Sequence, residues 1–340
     1  FLSTRQGKIY MASYSIFRRS LVAIAFFFWP INDIIFIKYI LLGFFVVDVL
    51  HGVFKKVLGE FRRPNFTKKA LLIIFAALLV EGLLFIFKHD WVSLLILLVM
   101  RFFLLSFVVY IFNKPTYWIK KYLIKKATKK MENYKDLTVV GITGSYGKTT
   151  VKTFLDHILS KKLKVVSTPK HVNTEIGIAK FILKNNFDTK NIFIVEMGAY
   201  TEGEIKLICD MVKPKVGILT AINEQHASLF GNIEKTQKAK YELLRSIPKD
   251  GLVVTNADNK YCREFLEELD SKIMTFGLDE EHSPTIFVKN IKDTENGGIY
   301  TVKLGDKPEA TVESNLRGSH NVTNVMPCVL VSSYLGMTRE

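Results

Sequence analysis

Apolar positions run in long blocks at the start of the chain and in short ones from about residue 137 onward. Residues 70–87 (ALLIIFAALLVEGLLFIF) and 91–112 read as helices, each near the ~20 apolar residues that cross a bilayer. Only Lys88, His89 and Asp90 part them, which predicts a tight hairpin. Residues 34–50, interrupted by Lys38 and Asp48, and the shorter run 21–29 are weaker candidates of the same kind. Glu81 and Arg101 fall inside the two hairpin helices, where a charge is costly unless paired, so a pair across the hairpin is expected. Past residue 137, β-branched runs at 138–142, 164–167, 192–196, 216–221 and 252–255 alternate with amphipathic helical stretches. That alternation predicts an α/β fold with a mostly parallel sheet and crossover helices.

Charge sharpens the division. The first 137 residues hold 21 Lys and Arg against 7 Asp and Glu, and the remainder holds 26 against 25. The basic part is thus also the apolar part, which favours a membrane surface as partner and argues against nucleic acid. Basic clusters at Arg18 and Arg19, at Lys55 to Lys69 and at Lys120 to Lys130 fall on one side of four spans, and the positive-inside rule makes that side cytosolic. The expected organisation is a transmembrane helical region at 1–112, a basic interfacial linker at 113–136 touching membrane lipid, and an α/β domain at 137–340 in the cytosol. Cys209, Cys262 and Cys328 show no disulfide or metal spacing, which suggests a reducing compartment.

The first short strand runs into Thr143-Gly144-Ser145-Tyr146-Gly147-Lys148-Thr149-Thr150 and then a helix. Gly144 and Gly147 allow backbone N–H groups to curl around phosphate oxygens, with the helix dipole behind them. Lys148 has the reach for β- and γ-phosphates and Thr149 the hydroxyl for Mg²⁺. Ile142 stands where the usual phosphate loop has its first glycine. Glu196 closes the strand IFIVE, and His226 follows VGILTAI, both where an open sheet gathers ligands. Each also has a plain reading, as a helix-capping acid and a loop histidine.

The ordered motifs ITGSYGKTT, HVNTEIGIA, VEMGAYTEGEI, NEQHASLFG, KAKYELL, TNADN and RGSHNVTN resemble the Mur ligase family, ATP-dependent amide-forming enzymes of bacterial cell-wall synthesis, and most closely its MurF type. The resemblance implies that Gly144, Ser145, Tyr146, Gly147, Lys148, Thr149 and Thr150 hold ATP, with Asn321 and Asn324 near the adenine. It implies Mg²⁺ at Thr149, Glu196, His226 and Lys240, the last as a carbamate, and catalytic parts for Lys148, Lys240 and His226. Asn173, Thr174 and Glu175 resemble the substrate-side loop, and strands near 285–288, 299–304 and 310–312 a small β insertion.

The implied reaction activates a carboxylate as an acyl phosphate, which an amine then attacks. The implied partners are a cell-wall peptide precursor, UDP- or lipid-linked, and an amino acid or dipeptide. Expected apolar spans stand where soluble relatives carry a domain for the uridine nucleotide, and the chain, which opens at Phe1 and ends at Glu340, is expected to stop before the family's C-terminal ligase domain. The localisation expected on these grounds is the bacterial cytoplasmic membrane, multi-pass, with a cytosolic catalytic domain. A poly-γ-glutamate-type synthetase and an ATP-binding membrane protein without ligase activity stay open as alternatives. An ATP-driven transporter is disfavoured by the lack of an LSGGQ-like run.

Overall fold

The computed structural model describes residues 43, 46, 50, 67–87, 91–199, 201–223, 233–295 and 297–337. The first elements described from end to end are the helices α1 (Lys68–Phe87) and α2 (Trp91–Met131), so both long apolar runs are helical as their pattern predicts. The expectation of membrane spans is corrected: among the described residues no helix is long and apolar enough to cross a membrane. The apolar run of α1 is interrupted by Glu81. The helix α2 carries on well past its apolar part and becomes Lys-rich from Lys114 onward. A multi-pass location in the cytoplasmic membrane is therefore withdrawn. The 21–29 run, most of 34–50, the turn at 88–90 and the Arg101 side chain lie outside the described residues.

Two compact units divide at residue 119. In the second, Lys120–Glu340, the end of α2 packs on the α/β core: Ile124, Ala127 and Met131 are buried among α/β residues. Its lysines, expected to face lipid, are partly engaged by protein. Lys120 forms an ion pair with Glu175, and Lys130 donates to the carbonyls of Leu183 and Asn185, the free acceptors at a helix C-terminus.

The chain then alternates through β1 (Thr138–Thr143), α3 (Lys148–Leu159), β2 (Val165–Ser167), α4 (Glu175–Lys184), β3 (Ile192–Glu196), α5 (Glu204–Val212), β4 (Val216–Leu219), α6 (Ile233–Leu244), β5 (Leu252–Asn256), α7 (Lys260–Arg263) and β6 (Lys272–Gly277). Three more strands, β7 (Ile286–Thr294), β8 (Gly297–Leu304) and β9 (Ala310–Ser314), lead to α8 (Ser319–Tyr334). All nine strands form one sheet in the order β2-β3-β1-β4-β5-β6-β7-β8-β9. Pairing is parallel up to β7 and antiparallel from β7 to β9. The strands expected as a separate small insertion instead continue the main sheet, because Phe276 and Gly277 of β6 pair with Ile286 and Phe287.

Alternation within the strands sends side chains to two cores. Val139, Phe193, Val195 and Val253 pack with α4, α5, α6 and the end of α2, while Val140, Ile142, Ile194 and Val254 pack with α3 and α8. The carboxyl ends of the parallel strands lie along one edge. The chain leaves β1 toward β2 on one side and returns past it to β4 on the other, a topological switch point beside the loop that ends β1.

Ala127 is fully buried, so Ala127→Leu should overpack the join between α2 and the α/β core and lower stability by about 1–3 kcal/mol. A urea midpoint equal to wild type would show that this turn of α2 does not pack there.

Candidate active site

The loop 144–147 is shaped by two glycines that no other residue can replace without collision. Gly144 has φ +149 and a side chain there would meet Thr220 Oγ1 at 1.9 Å; Gly147 has φ +81 and its Cβ would meet Asn324 Oδ1 at 2.5 Å. The loop is thus pressed between the end of β4 and the first turns of α8. It is stitched to β4 by Ser145 N–H donating to Ala221 O at 2.7 Å and by Thr220 Oγ1 donating to Tyr146 O. Ser145 Oγ in turn accepts from Asn223 N–H at 3.0 Å. Gly147 caps α3 with no side-chain bond to the helix N–H groups, so this N-terminus is free of a competing protein cap. Lys148 Nζ folds back onto Gly144 O at 2.7 Å, and Thr150 follows in the first turn, half-buried. Burial draws the Lys148 ammonium below its usual value, and the charge of Glu196 works against that shift.

Glu196, buried at the end of β3, is the hub. Its Oε2 accepts from Thr149 Oγ1 at 3.0 Å and faces Lys152 Nζ at 3.0 Å, while its Oε1 accepts from Asn173 Nδ2 at 3.1 Å. Its backbone N–H donates to Thr168 Oγ1 at 3.1 Å. Burial raises the carboxyl, but the bonds from Lys152 and Asn173, the Lys152 charge and the Thr149 bond outweigh it, so the net shift is below the ordinary carboxylate value.

Lys240 sits on α6, between exposed Lys238 and buried Tyr241. The helix comes close to the sheet because β1 and β4 carry glycines beneath it: a Cβ on Gly141 would meet Leu243 Cδ1 at 2.7 Å, and one on Gly217 would meet Ile247 Cγ1 at 2.9 Å. Its other side is bound to α7 and the residues after it, Gln237 Nε2 donating to Tyr261 O and Glu264 Oε2, each at 2.9 Å, and Tyr241 OH to Cys262 O at 2.6 Å. Lys240 is 3% exposed, and burial together with the Lys148 charge pushes its ammonium down to about 7.

The remaining sequence candidates divide. Thr174 caps α4, accepting from Gly177 N–H at 3.3 Å, and Glu175 opens that helix with its carboxylate paired to Lys120. Asn324 reaches the loop 144–147, whereas Asn321 is half-buried and donates to Arg317 O at 2.8 Å. His226 lies outside the described residues. Lys152, Thr168 and Thr220 were missed. Lys152 had a signal, since it stands one helical turn from Lys148 and so on the same side of α3; the two threonines had none beyond their places at strand ends. Among the described residues no three His, Cys, Asp or Glu side chains gather into a ready-made metal cage.

With this geometry in hand, comparison defines the class. Residues 142–332 match the family model for the Mur ligase middle domain, more than half of the chain, and the chain belongs to this family. Its similarity is to the MurF branch. The UDP-N-acetylmuramoyl-tripeptide--D-alanyl-D-alanine ligase of Synechocystis sp. is 31% identical over 202 residues, 59% of this chain and 41% of that protein. The Bacillus subtilis enzyme of the same name is 28% identical over 202 residues, 59% and 42% of the two chains. Among solved structures, MurF ligase from Thermotoga maritima in complex with ADP superposes with TM-score 0.60 at 29% identity, covering 65% of this chain and 50% of that one. MurF from Acinetobacter baumannii gives TM-score 0.59 at 25% identity, covering 64% and 47%. The chain thus spans about two fifths of the length of these curated relatives.

The depressed Lys240 value carries a sign. The unfolded chain keeps that proton up to about pH 10.4 and the folded chain releases it near 7, so the unfolded state binds more protons between these values and stability rises with pH across that window. In carbonate-free buffer, Lys240→Met should therefore raise the melting temperature more at pH 6 than at pH 9. An equal change at both would mean that Lys240 titrates as an exposed lysine.

Proposed function

We propose that the chain is the nucleotide-binding and phosphoryl-transfer part of a MurF-type ligase, which uses ATP and Mg²⁺ to join D-alanyl-D-alanine to a UDP-linked muramoyl tripeptide. The observation that carries this reading is the convergence at one sheet edge of a glycine cradle, a helix N-terminus, Lys148 and the Thr149–Glu196 pair. The likeness to MurF, including a relative with ADP bound, supports the choice of branch.

The residues fit both groups. A loop that any Cβ at Gly144 or Gly147 would obstruct suits phosphate oxygens held by backbone N–H groups, and Asn324 stands at its rim with Asn321 one turn away for the base. Mg²⁺ needs few protein ligands when phosphates supply the rest, and Thr149 and Glu196, with His226 and a carbamylated Lys240, offer the oxygens and imidazole. When bound, the ion neutralises phosphate charge as it develops. Lys148 leaves Gly144 O to neutralise the transferring phosphoryl group, and the N-terminal dipole of α3 adds to it.

A carboxylate oxygen of the peptide precursor attacks the γ-phosphorus and ADP leaves, giving an acyl phosphate. The dipeptide amine then attacks the carbonyl carbon, phosphate departs and the nitrogen loses a proton, forming the amide. The loop bearing Asn173 and Thr174 orients the precursor, and Glu175 holds that loop through Lys120. Lys240 suits carbamylation because its amine, drawn down to about 7, is substantially neutral at physiological pH and free to add carbon dioxide. The product is an anion, which removes the repulsion between two cations in one crevice.

Calorimetry with a non-hydrolysable ATP analogue and Mg²⁺ should show Lys148→Ala weakened by about 1.5–3 kcal/mol. In the full chain, phosphate release should require both the tripeptide precursor and D-alanyl-D-alanine. Lys240→Ala should lose most activity, with partial return on adding formate or acetate. Unchanged nucleotide affinity in Lys148→Ala would remove the phosphate-loop assignment, and phosphate release indifferent to the precursor and the dipeptide would remove the ligase reading.

A further inference from the structure

Glu196 does not wait for a metal ion as a bare carboxylate. Lys152 Nζ lies 3.0 Å from its Oε2, with the two side chains 6% and 2% exposed, so the pair is removed from solvent and its attraction is weakly screened. The same ammonium donates to Pro169 O at 3.3 Å. It therefore joins three elements: α3 behind the phosphate loop, the end of β3, and the segment after β2 that leads to Asn173. Lys148, one turn earlier, turns the other way, to Gly144 O. Every other polar group on the Glu196 carboxylate is a neutral donor, Thr149 on Oε2 and Asn173 on Oε1. Lys152 is thus the direct positive partner of this carboxylate among the described residues.

We propose that Lys152 is the resident counter-cation of Glu196: it fixes the carboxylate in its working orientation and, by competing for Oε2, keeps the site's affinity for bare divalent metal low until nucleotide phosphates add negative charge. The inference rests on the reading of Glu196 as a metal ligand. An ammonium at contact distance from one ligand oxygen repels an incoming dication and shares the lone pairs it needs. Phosphates arriving with the ion offset that repulsion, so metal and nucleotide enter together rather than metal alone. The contact with Pro169 O places the loop that leads to Asn173 under the same control, which makes Lys152 a positioning residue for both sides of the crevice.

The test uses Mn²⁺ as probe, with free ion followed by electron paramagnetic resonance, on the full chain with and without a non-hydrolysable ATP analogue. Without nucleotide, Lys152→Met and Lys152→Gln should bind Mn²⁺ about tenfold or more tighter than wild type, and Lys152→Arg should stay within about twofold of it. A tighter site is a gain that mere structural damage would not produce. With the analogue present the difference should shrink. Circular dichroism checks folding, and Lys152→Gln, which keeps a donor for Pro169 O, decides if the Met variant does not fold. Glu196→Gln separates the two readings. If it weakens Mn²⁺ binding while the neutral Lys152 variants bind no tighter than wild type, the counter-cation role is wrong and the metal ligand stands. If it leaves Mn²⁺ binding unchanged, the metal reading itself falls and this inference with it.

Discussion

A carboxylate taken out of water at the end of a buried strand must be answered on every side, and the way Glu196 is answered organises the crevice. The strand that carries it is pinned between β1 and β2, so the side chain has little freedom to search for partners. They come to it instead: Thr149 and Lys152 from α3, Asn173 from the loop before α4, and Thr168 from the segment after β2. Two stretches of chain, 149–152 and 168–173, are brought to Glu196 by the desolvation of one charge. The partners together outweigh the cost of burial, since the carboxyl ends up more acidic than usual rather than less.

How much of this could be read from the chain depends on the range of the signal. The strand, turn and helix start around residues 138–150 were legible because their pattern is local: β-branched residues, two glycines and a lysine dictate each in turn. β3 came out with its observed bounds for the same reason. β6 was missed because KIMTFG is only half-buried over most of its length and lacks a continuous apolar run. That β7 to β9 extend the main sheet was not legible at all, since strand pairing is a contact between segments and leaves no mark within either. The first third of the chain teaches a related lesson. Its apolar runs named the element, helix, but hydropathy along a sequence does not say what surrounds it, and the packing of Ala127 and Met131 into the α/β core shows α2 closing on protein at its far end.

Lys240 marks the limit most sharply. In KTQKAKYELL it looks like one of several solvated lysines, and Lys235 and Lys238 are indeed exposed. Burial of the third follows from Gly141 and Gly217, which lie on other strands and let Leu243 and Ile247 sink toward the sheet. A residue's fate is here decided by the absence of side chains 99 and 23 positions back along the chain. The resemblance of KAKYELL to a family motif singled out Lys240 where the residue alone did not.

Glu242 lies two residues beyond Lys240, on the same helix. Its Oε1 accepts from Gly203 N–H at 2.5 Å and its Oε2 from Lys206 N–H at 2.8 Å, so a side chain of α6 caps the start of α5 and meets the positive end of its dipole. The clasp is made at the surface, where sequence variants are ordinarily judged harmless because nothing seems to be packed. For anyone interpreting natural variation in this protein, position 242 is not dispensable because it lies near the surface: this half-buried acid latches the helix that also carries the buried amine of Lys240.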